Sequence, residues 1–304
     1  MLAFKPITIQ AKSELEPYLD RANSYFCDYC FADIYMWKDF FETMYCIEDN
    51  TLFLIFKSTS DQTLTYAMPV GYKYIECAIS LIREDAKERN IPICISCITE
   101  EQMEELKSVY PNDFAFEQLR DFSDYIYRSA DLIDLTGNKF HKKKNLINRF
   151  KKDHKNNWIY EDITAENIHE IWAFYESWFL DNNERESPFL IGERQAIRLA
   201  LDHFGALNLH GGLIRLNSQV IAFSLGTKST EDVFVIQIEK ANPNIIGSYQ
   251  MINQQFALAN CQNSMWINRE EDLGIMGLRK AKLSYHPAFL SMKYLAKLRK
   301  NGDD

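Results

Sequence analysis

The architecture follows from one segment in the second half of the chain, Val233-Phe-Val-Ile-Gln-Ile-Glu-Lys-Ala-Asn-Pro-Asn-Ile-Ile-Gly-Ser-Tyr249. The apolar run Val233–Glu239 predicts a strand, and Asn242-Pro243-Asn244 is a turn signal. Gly247 then precedes a predicted helix. Glycine lets the backbone approach a ligand closely, and the free N–H groups at the start of a helix favour a phosphate. The segment therefore predicts a strand-to-helix turn with the chemistry of an anion site.

The first half of the chain repeats this arrangement around Gly71. Three strand-like runs precede this glycine, at Thr43–Glu48, Leu52–Lys57 and Leu64–Pro69, and a helix predicted at Tyr74–Arg89 follows it. Over its whole length the first half predicts the order β-α-βββ-α-β-α-ββ, and the second half predicts nearly the same order. A chain of 304 residues has room for about two domains of roughly 150 residues each. The two halves therefore predict two similar domains.

Composition narrows the class of protein further. Hydrophobic residues make up 46% of the chain and aromatic residues 13%, against 11 Gly and 8 Pro, which excludes disordered and collagen-like chains. No run approaches the roughly 18 apolar residues of a membrane helix, and the first residues lack the pattern of a signal peptide. We therefore expect a cytoplasmic protein without stable membrane insertion.

Several chemistries are excluded because their motifs are missing. The chain has no H-E-x-x-H pair, no G-x-S-x-G turn and no G-x-x-x-x-G-K-[ST] loop, which excludes metalloproteases, serine hydrolases and P-loop enzymes of those types. Seven cysteines include the pairs Cys27/Cys30 and Cys94/Cys97, whose C-x-x-C spacing is also found in zinc sites. The second pair lies in the apolar run Ile91–Ile98, which predicts a buried strand. We therefore expect buried thiols and no metal.

Positive charge is concentrated in two places, although the formal net charge is −9. Between Lys139 and Lys155 there are eight Lys or Arg residues and one acid. Four other side chains of this block share one side of a predicted helix, namely Phe140, Ile147, Phe150 and His154. The second basic run consists of Arg279, Lys280, Lys282, Lys293, Lys297, Arg299 and Lys300. Both runs are consistent either with solvated faces or with a site for phosphates or RNA.

Three segments together carry a resemblance to known proteins. They are Gly137-Asn-Lys-Phe-His-Lys-Lys-Lys-Asn-Leu-Ile-Asn-Arg-Phe150, Ile238-Glu-Lys-Ala241 with Gly247-Ser-Tyr-Gln-Met-Ile-Asn253, and Ile267-Asn-Arg-Glu-Glu-Asp-Leu-Gly-Ile-Met-Gly-Leu-Arg-Lys-Ala-Lys-Leu-Ser-Tyr-His-Pro287. The chain resembles an uncharacterised bacterial family related to the C-terminal domain of phosphatidylglycerol lysyltransferases and, more distantly, to the Fem-type aminoacyltransferases. This resemblance implies an α+β protein (mixed α/β) with two tandem GNAT-like acyltransferase domains, each a mostly antiparallel sheet flanked by helices. The expected divisions are 1–136, a basic connecting helix at 137–156, and 157–304.

The GNAT fold also matches the order of strand, glycine and helix, because in that fold the start of the helix holds the pyrophosphate of coenzyme A. The GNAT loop usually reads Arg/Gln-x-x-Gly-x-Gly/Ala, whereas here it reads Asn244-Ile-Ile-Gly-Ser-Tyr249. One donor that the resemblance implies is acyl-CoA, with no tightly bound cofactor. Its contacts would be Ile238, Ile246, Gly247, Ser248, Tyr249 and Gln250.

The characterised relatives imply a second donor, an aminoacyl-tRNA. In those relatives a basic helix before the second domain meets the RNA or the acceptor. The residues expected to contact substrate or tRNA here are Lys142, Lys144, Asn148, Arg149, Asn268, Arg269, Arg279 and Lys282. Because the membrane-spanning region of the lysyltransferases is not found in this sequence, we expect a small-molecule or peptide acceptor rather than a lipid.

The chemistry of acyl transfer suggests roles for individual side chains. A protonated amine needs a base, for which Glu239 and Asp272 are candidates, and the leaving group needs an acid, for which Tyr285 is the candidate. The neighbouring His286 is a further candidate for proton transfer. Each has a structural alternative, because carboxylates beside cations commonly form ion pairs and a histidine before Pro287 commonly forms a turn.

The sequence therefore predicts an acyl- or aminoacyltransferase of the GNAT superfamily. It would move its group from acyl-CoA or aminoacyl-tRNA to an amine or hydroxyl, and a backbone N–H on a splayed strand at Val233–Glu239 would stabilise the oxyanion. The alternative is a non-catalytic GNAT-like module that binds tRNA or a small anionic ligand. The departure of Asn244–Tyr249 from the GNAT loop favours this alternative.

Overall fold

A computed structural model describes residues 1–22, 24–58, 61–182 and 185–299 of the chain. The first elements are β1 (Lys5–Pro6), α1 (Lys12–Ala22), α2 (Phe31–Trp37), β2 (Met44–Glu48), β3 (Thr51–Lys57), β4 (Leu64–Ala67), α3 (Ile75–Arg89), β5 (Cys94–Ile98), α4 (Glu100–Val109), β6 (Phe114–Gln118), β7 (Asp124–Arg128) and α5 (Ser129–Asp134). The chain continues with α6 (His141–His154), β8 (Trp158–Asp162), α7 (Ile168–Asp181), α8 (Pro188–Asp202), β9 (His210–Leu216), β10 (Gln219–Lys228), β11 (Val233–Ala241), α9 (Ser248–Asn260), β12 (Trp266–Asn268), α10 (Met276–Leu283), β13 (Phe289–Ser291) and β14 (Tyr294–Leu298).

The strands form two sheets of seven strands each. Their orders are β1-β2-β3-β4-β5-β14-β6 and β13-β7-β12-β11-β10-β9-β8. In each sheet one central pair is parallel, β4 with β5 and β11 with β12, and the pairs on either side are antiparallel. A helix connects the two strands of each parallel pair, α3 in the first sheet and α9 in the second. The predicted fold class, mixed α/β with two mostly antiparallel sheets, is confirmed.

The two sheets exchange strands relative to the order of the chain. β14 comes from the end of the chain but pairs with β5 and β6, so that Ala296 lies between Ile95 and Phe116. β7 comes from the first half but pairs with β12, where Tyr127 lies opposite Ile267. The chain therefore divides into one compact unit of residues 124–290 and another formed by 1–123 with the described part of the segment that begins at Ser291.

These units differ from the predicted divisions at 1–136, 137–156 and 157–304. Composition and basic runs indicate where a linker is plausible, but hydrogen bonds between strands that are distant in sequence determine which segments fold together. The predicted connecting helix is α6, and it lies inside the second unit. Lys300 and the rest of the predicted C-terminal end lie outside the described residues.

Each unit has its own hydrophobic core. The core of the first unit includes Ile55, Ile79 and Ile95 on adjacent elements. The core of the second unit includes Phe150 on α6 and Phe256 on α9. Because buried apolar area is the main source of stability, the two cores hold the sheets and helices of each unit together.

The prediction for the basic helix is confirmed in its packing. Phe140, Ile147 and Phe150 are all buried, and the ring of His154 lies 4.7 Å from that of Phe150. The predicted buried strand around Cys94 and Cys97 is confirmed as β5, in which both thiols are buried. Among the helices in the described part of the chain, none is both long enough and apolar enough to cross a membrane.

Candidate active site

The second sheet opens between β11 and β12, and this opening positions the candidate site. The two strands pair only over Val233–Val235 and Trp266–Asn268. β11 continues to Ala241, whereas β12 ends at Asn268. A register shift between β10 and β11 lies beside the same stretch, and such irregularities bend a strand. Beyond Val235, side chains from several elements therefore meet where the two strands separate.

An ion pair with little exposure to solvent lies in this opening. Glu239 on β11 accepts a hydrogen bond from Arg269, which directly follows β12, with 3.0 Å between Oε1 and Nη2. Asn253 on α9 donates from Nδ2 to the other carboxylate oxygen at 2.8 Å. The two charged side chains are only 13% and 12% exposed. Burial alone would lower the pKa of Arg269, but Glu239 is the main cause that raises it, so Arg269 stays charged.

The ring of Tyr285 lies against this pair. The guanidinium carbon of Arg269 is 4.8 Å from the centroid of the ring, within the range of a cation–π contact. Tyr285 is 4% exposed. Burial raises the pKa of its phenol well above the ordinary value, although Arg269 opposes this. Tyr285 is therefore a neutral phenol at physiological pH, which is the form that can donate a proton or a hydrogen bond.

Lys143 on α6 completes the cluster, and the sequence analysis did not name it. Its Nζ lies 4.0 Å from the centroid of the Tyr285 ring. Burial, and after it the nearby Arg269, lower the pKa of Lys143 to about 8, while Glu239 opposes both. Its neighbours Lys142 and Lys144, which the sequence analysis did name, are exposed. Of these three consecutive lysines, the middle one therefore belongs to the site.

The helical spacing of Lys143 is the feature of the sequence that distinguishes it from the neighbouring lysines. Phe140 lies three residues before it, and Ile147 and Phe150 lie four and seven residues after it. Residues at these spacings share one face of a helix. A cation on the buried stripe of α6 is therefore unlike the solvated cations around it. The total charge of the block, which is consistent either with a solvated face or with a site for phosphates or RNA, does not distinguish the two kinds.

Asp272 was predicted as a base, but its surroundings make it a structural anion. It is buried and accepts hydrogen bonds from Tyr125 at 2.6 Å, from Arg279 at 2.7 and 2.8 Å, and from the Gly274 N–H at 2.9 Å. Burial alone would raise its pKa, but these donors, Arg279 first, hold it well below its ordinary value. A carboxylate that is stabilised this strongly is a weak base.

Three residues predicted to contact substrate instead hold the segment after β12. Arg279 binds Asp272, as described above. Lys282 is 8% exposed, and its ammonium donates to the carbonyls of Arg269 and Glu271. Asn268 is fully buried and accepts a hydrogen bond from the Glu270 N–H. These contacts fix the position of Arg269, because they determine the path of the backbone on either side of it.

His286 lies at the edge of the cluster rather than in it. The residue is exposed, and one ring nitrogen lies 3.1 Å from the carbonyl oxygen of Lys139. Its ring is 5.7 Å from that of Phe140, at nearly a right angle. These contacts hold the end of α10 against the start of α6, which agrees with the structural alternative weighed for this residue.

The predicted phosphate loop is packed against α6. Gly247 has a φ of +87°, and a Cβ at this position would lie 2.5 Å from the carbonyl oxygen of Leu146 and 3.0 Å from Cβ of Phe150. The glycine is therefore required by the close approach of α6. Leu146 and Phe150 therefore fill the space along the Cβ direction of Gly247.

The other residues predicted to contact coenzyme A have ordinary structural places. The Ile238 carbonyl accepts a hydrogen bond from Ser224 at 2.9 Å, and the Ser248 hydroxyl donates to the carbonyl of Asn242 at 2.8 Å. Ile246 is exposed. The remaining two, Tyr249 and Gln250, are half-buried in the first turn of α9.

The two predicted basic runs differ in how exposed their cations are. On α6, Lys142, Lys144, Asn148 and Arg149 are exposed, and Arg149 forms an ion pair with Asp153 at 3.4 Å. The described members of the second basic run belong to different units, with Arg279, Lys280 and Lys282 in residues 124–290 and Lys293, Lys297 and Arg299 in the other. Lys293 is only 2% exposed and pairs with Asp28 in the first unit, whereas Lys282 is buried in the second. The cations of α6 are therefore the better candidate for an RNA contact.

Comparisons with known proteins agree with this architecture. Residues 20–297 match the family described as phosphatidylglycerol lysyltransferase, C-terminal. A conserved protein of unknown function from Bacteroides thetaiotaomicron is 34% identical, with a TM-score of 0.93 over 98% of this chain and 100% of that one. An uncharacterised protein of Mycoplasmoides gallisepticum is 25% identical over 211 residues, and the match spans 68% of this chain but only 65% of that relative.

More distant structures share the fold. L-PGS from Bacillus licheniformis has a TM-score of 0.64 at 16% identity, over 95% of this chain and 92% of that one. FemX has a TM-score of 0.57 at 10% identity, over 99% and 98%. A tandem GNAT protein from the clavulanic acid biosynthesis pathway has a TM-score of 0.51 at 6% identity, over 99% of both chains. With its two GNAT-like sheets and a match over nearly its whole length, the chain belongs to the phosphatidylglycerol lysyltransferase C-terminal family.

Proposed function

We propose that this protein is an aminoacyltransferase that takes an amino acid from an aminoacyl-tRNA and passes it to an amine or hydroxyl of a small molecule or peptide. The observation that carries the proposal is the packing of α6 over Gly247, where the Leu146 carbonyl fills the space beside the turn. We take this packing as an argument against acyl-CoA as the donor, because it fills the space along the Cβ direction of the glycine. The same helix turns Lys142 and Lys144 to solvent, where they can bind phosphates of RNA.

The buried cluster supplies the groups that acyl transfer requires. Attack on an ester places negative charge on the carbonyl oxygen, and fixed donors or cations near that oxygen stabilise it. Arg269 provides a cation held in place by Glu239, and the neutral phenol of Tyr285 lies against it. Because both groups are held by packing, little reorganisation is needed during the reaction. We assign Arg269 and Tyr285 to stabilising the reacting ester and Glu239 to holding Arg269.

Binding of a stable donor analogue tests the choice of donor. The probe is tRNA that carries lysine through an amide bond, since the family name points to lysine first, and coenzyme A is titrated in parallel. We expect lysyl-tRNA to bind with an affinity that falls steeply as salt rises, and coenzyme A to give no saturable binding. Saturable, salt-insensitive binding of coenzyme A with no binding of the tRNA would contradict the proposal.

A matched pair of variants locates the RNA contact. The double variant Lys142→Ala/Lys144→Ala should weaken tRNA binding and reduce the slope of log affinity against log salt by about two, one for each lost phosphate contact. The control is Lys87→Ala/Lys228→Ala, which removes the same charge from exposed positions elsewhere. Equal losses in both doubles would mean that net charge alone explains the binding.

Turnover separates an enzyme from a binding module. Lysyl-tRNA with labelled lysine is incubated with the protein and a panel of amines, peptides and hydroxyl compounds, and the label on each acceptor is measured. We expect transfer by the wild-type protein and a large loss in Tyr285→Phe and Arg269→Lys at unchanged tRNA affinity. Binding without transfer to any acceptor would favour the non-catalytic alternative.

A further inference from the structure

We propose that Lys143 accepts the proton of the attacking amine or hydroxyl during transfer, an inference that rests on the proposed aminoacyltransferase function. The geometry points to this residue because its Nζ lies 4.0 Å from the centroid of the Tyr285 ring, the same ring that Arg269 contacts at 4.8 Å. Lys143 thus brings a basic nitrogen from α6 to the groups assigned to the reacting ester.

The nearby carboxylates and the ammonium of Lys282 are engaged in other contacts. Both carboxylate oxygens of Glu239 accept hydrogen bonds, one from Arg269 and one from Asn253. Asp272 is held by three donors, and the ammonium of Lys282 binds two backbone carbonyls. Lys143, by contrast, forms no ion pair within the described ranges of the chain. It is the cluster's basic group that is left to exchange a proton.

The groups that face Lys143 explain why it can be neutral. They come from three elements: Arg269 after β12, Glu239 on β11 and Tyr285 after α10. Two cations that share one aromatic ring repel each other, and a guanidinium does not release its proton at physiological pH. The repulsion therefore favours loss of the proton from Lys143. Burial and Arg269 together lower the pKa of Lys143 to about 8, so roughly half of it is the free amine at pH 8.

The proton balance of the step is complete without a further reactant. The neutral amine of Lys143 takes the proton from the nucleophile as the nucleophile bonds to the ester carbon. The bond between that carbon and the ribose oxygen then breaks, and the ribose oxygen takes the proton back from the Lys143 ammonium. The products are the aminoacylated acceptor and a free ribose hydroxyl, and the lysine returns to its starting state.

Competitive labelling of the intact protein tests this without a substrate. Trace acetic anhydride is applied across the neutral-to-alkaline range, and the label at each lysine is read by peptide mass spectrometry. We expect the label at Lys143 to rise near pH 8, and the exposed Lys142 and Lys144 on the same helix serve as controls. Titration of Lys143 together with its two neighbours would overturn the proposal.

Kinetics of a charge-conserving variant provide the second test. Lys143→Arg keeps the positive charge but cannot act as a base, so kcat/KM for lysyl-tRNA should fall roughly a hundredfold or more, and the rise in rate through about pH 8 should disappear. Lys87→Arg, at an exposed position that the proposal does not use, is the control and should match wild type. An arginine variant with wild-type rate and pH profile would overturn the role of Lys143 alone, whereas absence of transfer by the wild-type protein would overturn the aminoacyltransferase function itself.

Discussion

Glu239 and Arg269 show how much a single buried charge depends on its partner. Replacing Glu239 by Gln keeps the shape but leaves the Arg269 cation buried without its counter-ion, which should lower the free energy of unfolding by about 3 kcal/mol. The control is Asp202→Asn in the exposed Arg198–Asp202 pair, whose side chains are 53% and 46% exposed. This control should lower the free energy of unfolding by less than about 1 kcal/mol. Urea unfolding of both variants measures the two losses, and equal losses would show that burial of the pair adds nothing.

Asp272, again a single residue, makes the stability of the folded protein depend on pH. Its pKa is lower in the folded than in the unfolded chain, so its contribution to stability is present above the unfolded value of about 3.9 and is lost as the pH falls below it. Asp272→Asn should therefore be less stable than wild type at neutral pH, and the difference should shrink in acid. Thermal unfolding between neutral and acid pH measures this. A constant difference at every pH would contradict the assignment.

At the scale of elements, the close packing of α6 against the start of α9 explains why residue 247 is a glycine. Gly247→Ala should lower the free energy of unfolding by more than about 3 kcal/mol, because the new Cβ would meet a backbone carbonyl and because φ at this position is unfavourable for alanine. Gly137 has nearly the same φ, +86°, but nothing within 4 Å of a Cβ. Gly137→Ala should therefore cost only about 1 kcal/mol. Urea unfolding gives both values, and equal costs would mean that α6 does not need the glycine.

At the scale of the whole molecule, the first sheet depends on a strand from the far end of the chain. Ala296 on β14 is fully buried between β5 and β6. A fragment of residues 1–123 should therefore not fold alone, because the two strands that flank β14 lose their shared partner. Adding a synthetic peptide of residues 291–299 should restore its strand signal in circular dichroism. The same peptide with Ala296→Asp is the control and should not. Folding of the fragment without any peptide would contradict this dependence.

The strand exchange also explains why the predicted domain divisions differ from the observed units. Hydrophobic periodicity and turn residues are local, so they identified β11, α6 and the glycine turn. The pairing of β14 with β5 joins residues separated by nearly the whole chain. Nothing in a local pattern specifies such a partner, because many strands of similar composition compete for it.

The sequence by itself determined the two repeated halves, the mixed α/β class and the amphipathic basic helix, and it named Glu239, Arg269 and Tyr285 among the candidate site residues. These depend on period, turn chemistry and family resemblance, which are properties of the chain. Only the tertiary structure decided which of the charges are free to act. Lys143 belongs to the cluster, whereas Lys142 and Lys144 are exposed. Hydrogen bonds within the protein hold Asp272, Arg279 and Lys282. The physical reason is that burial and the distance between charges set the energy of each group, and both quantities exist only once the chain has folded.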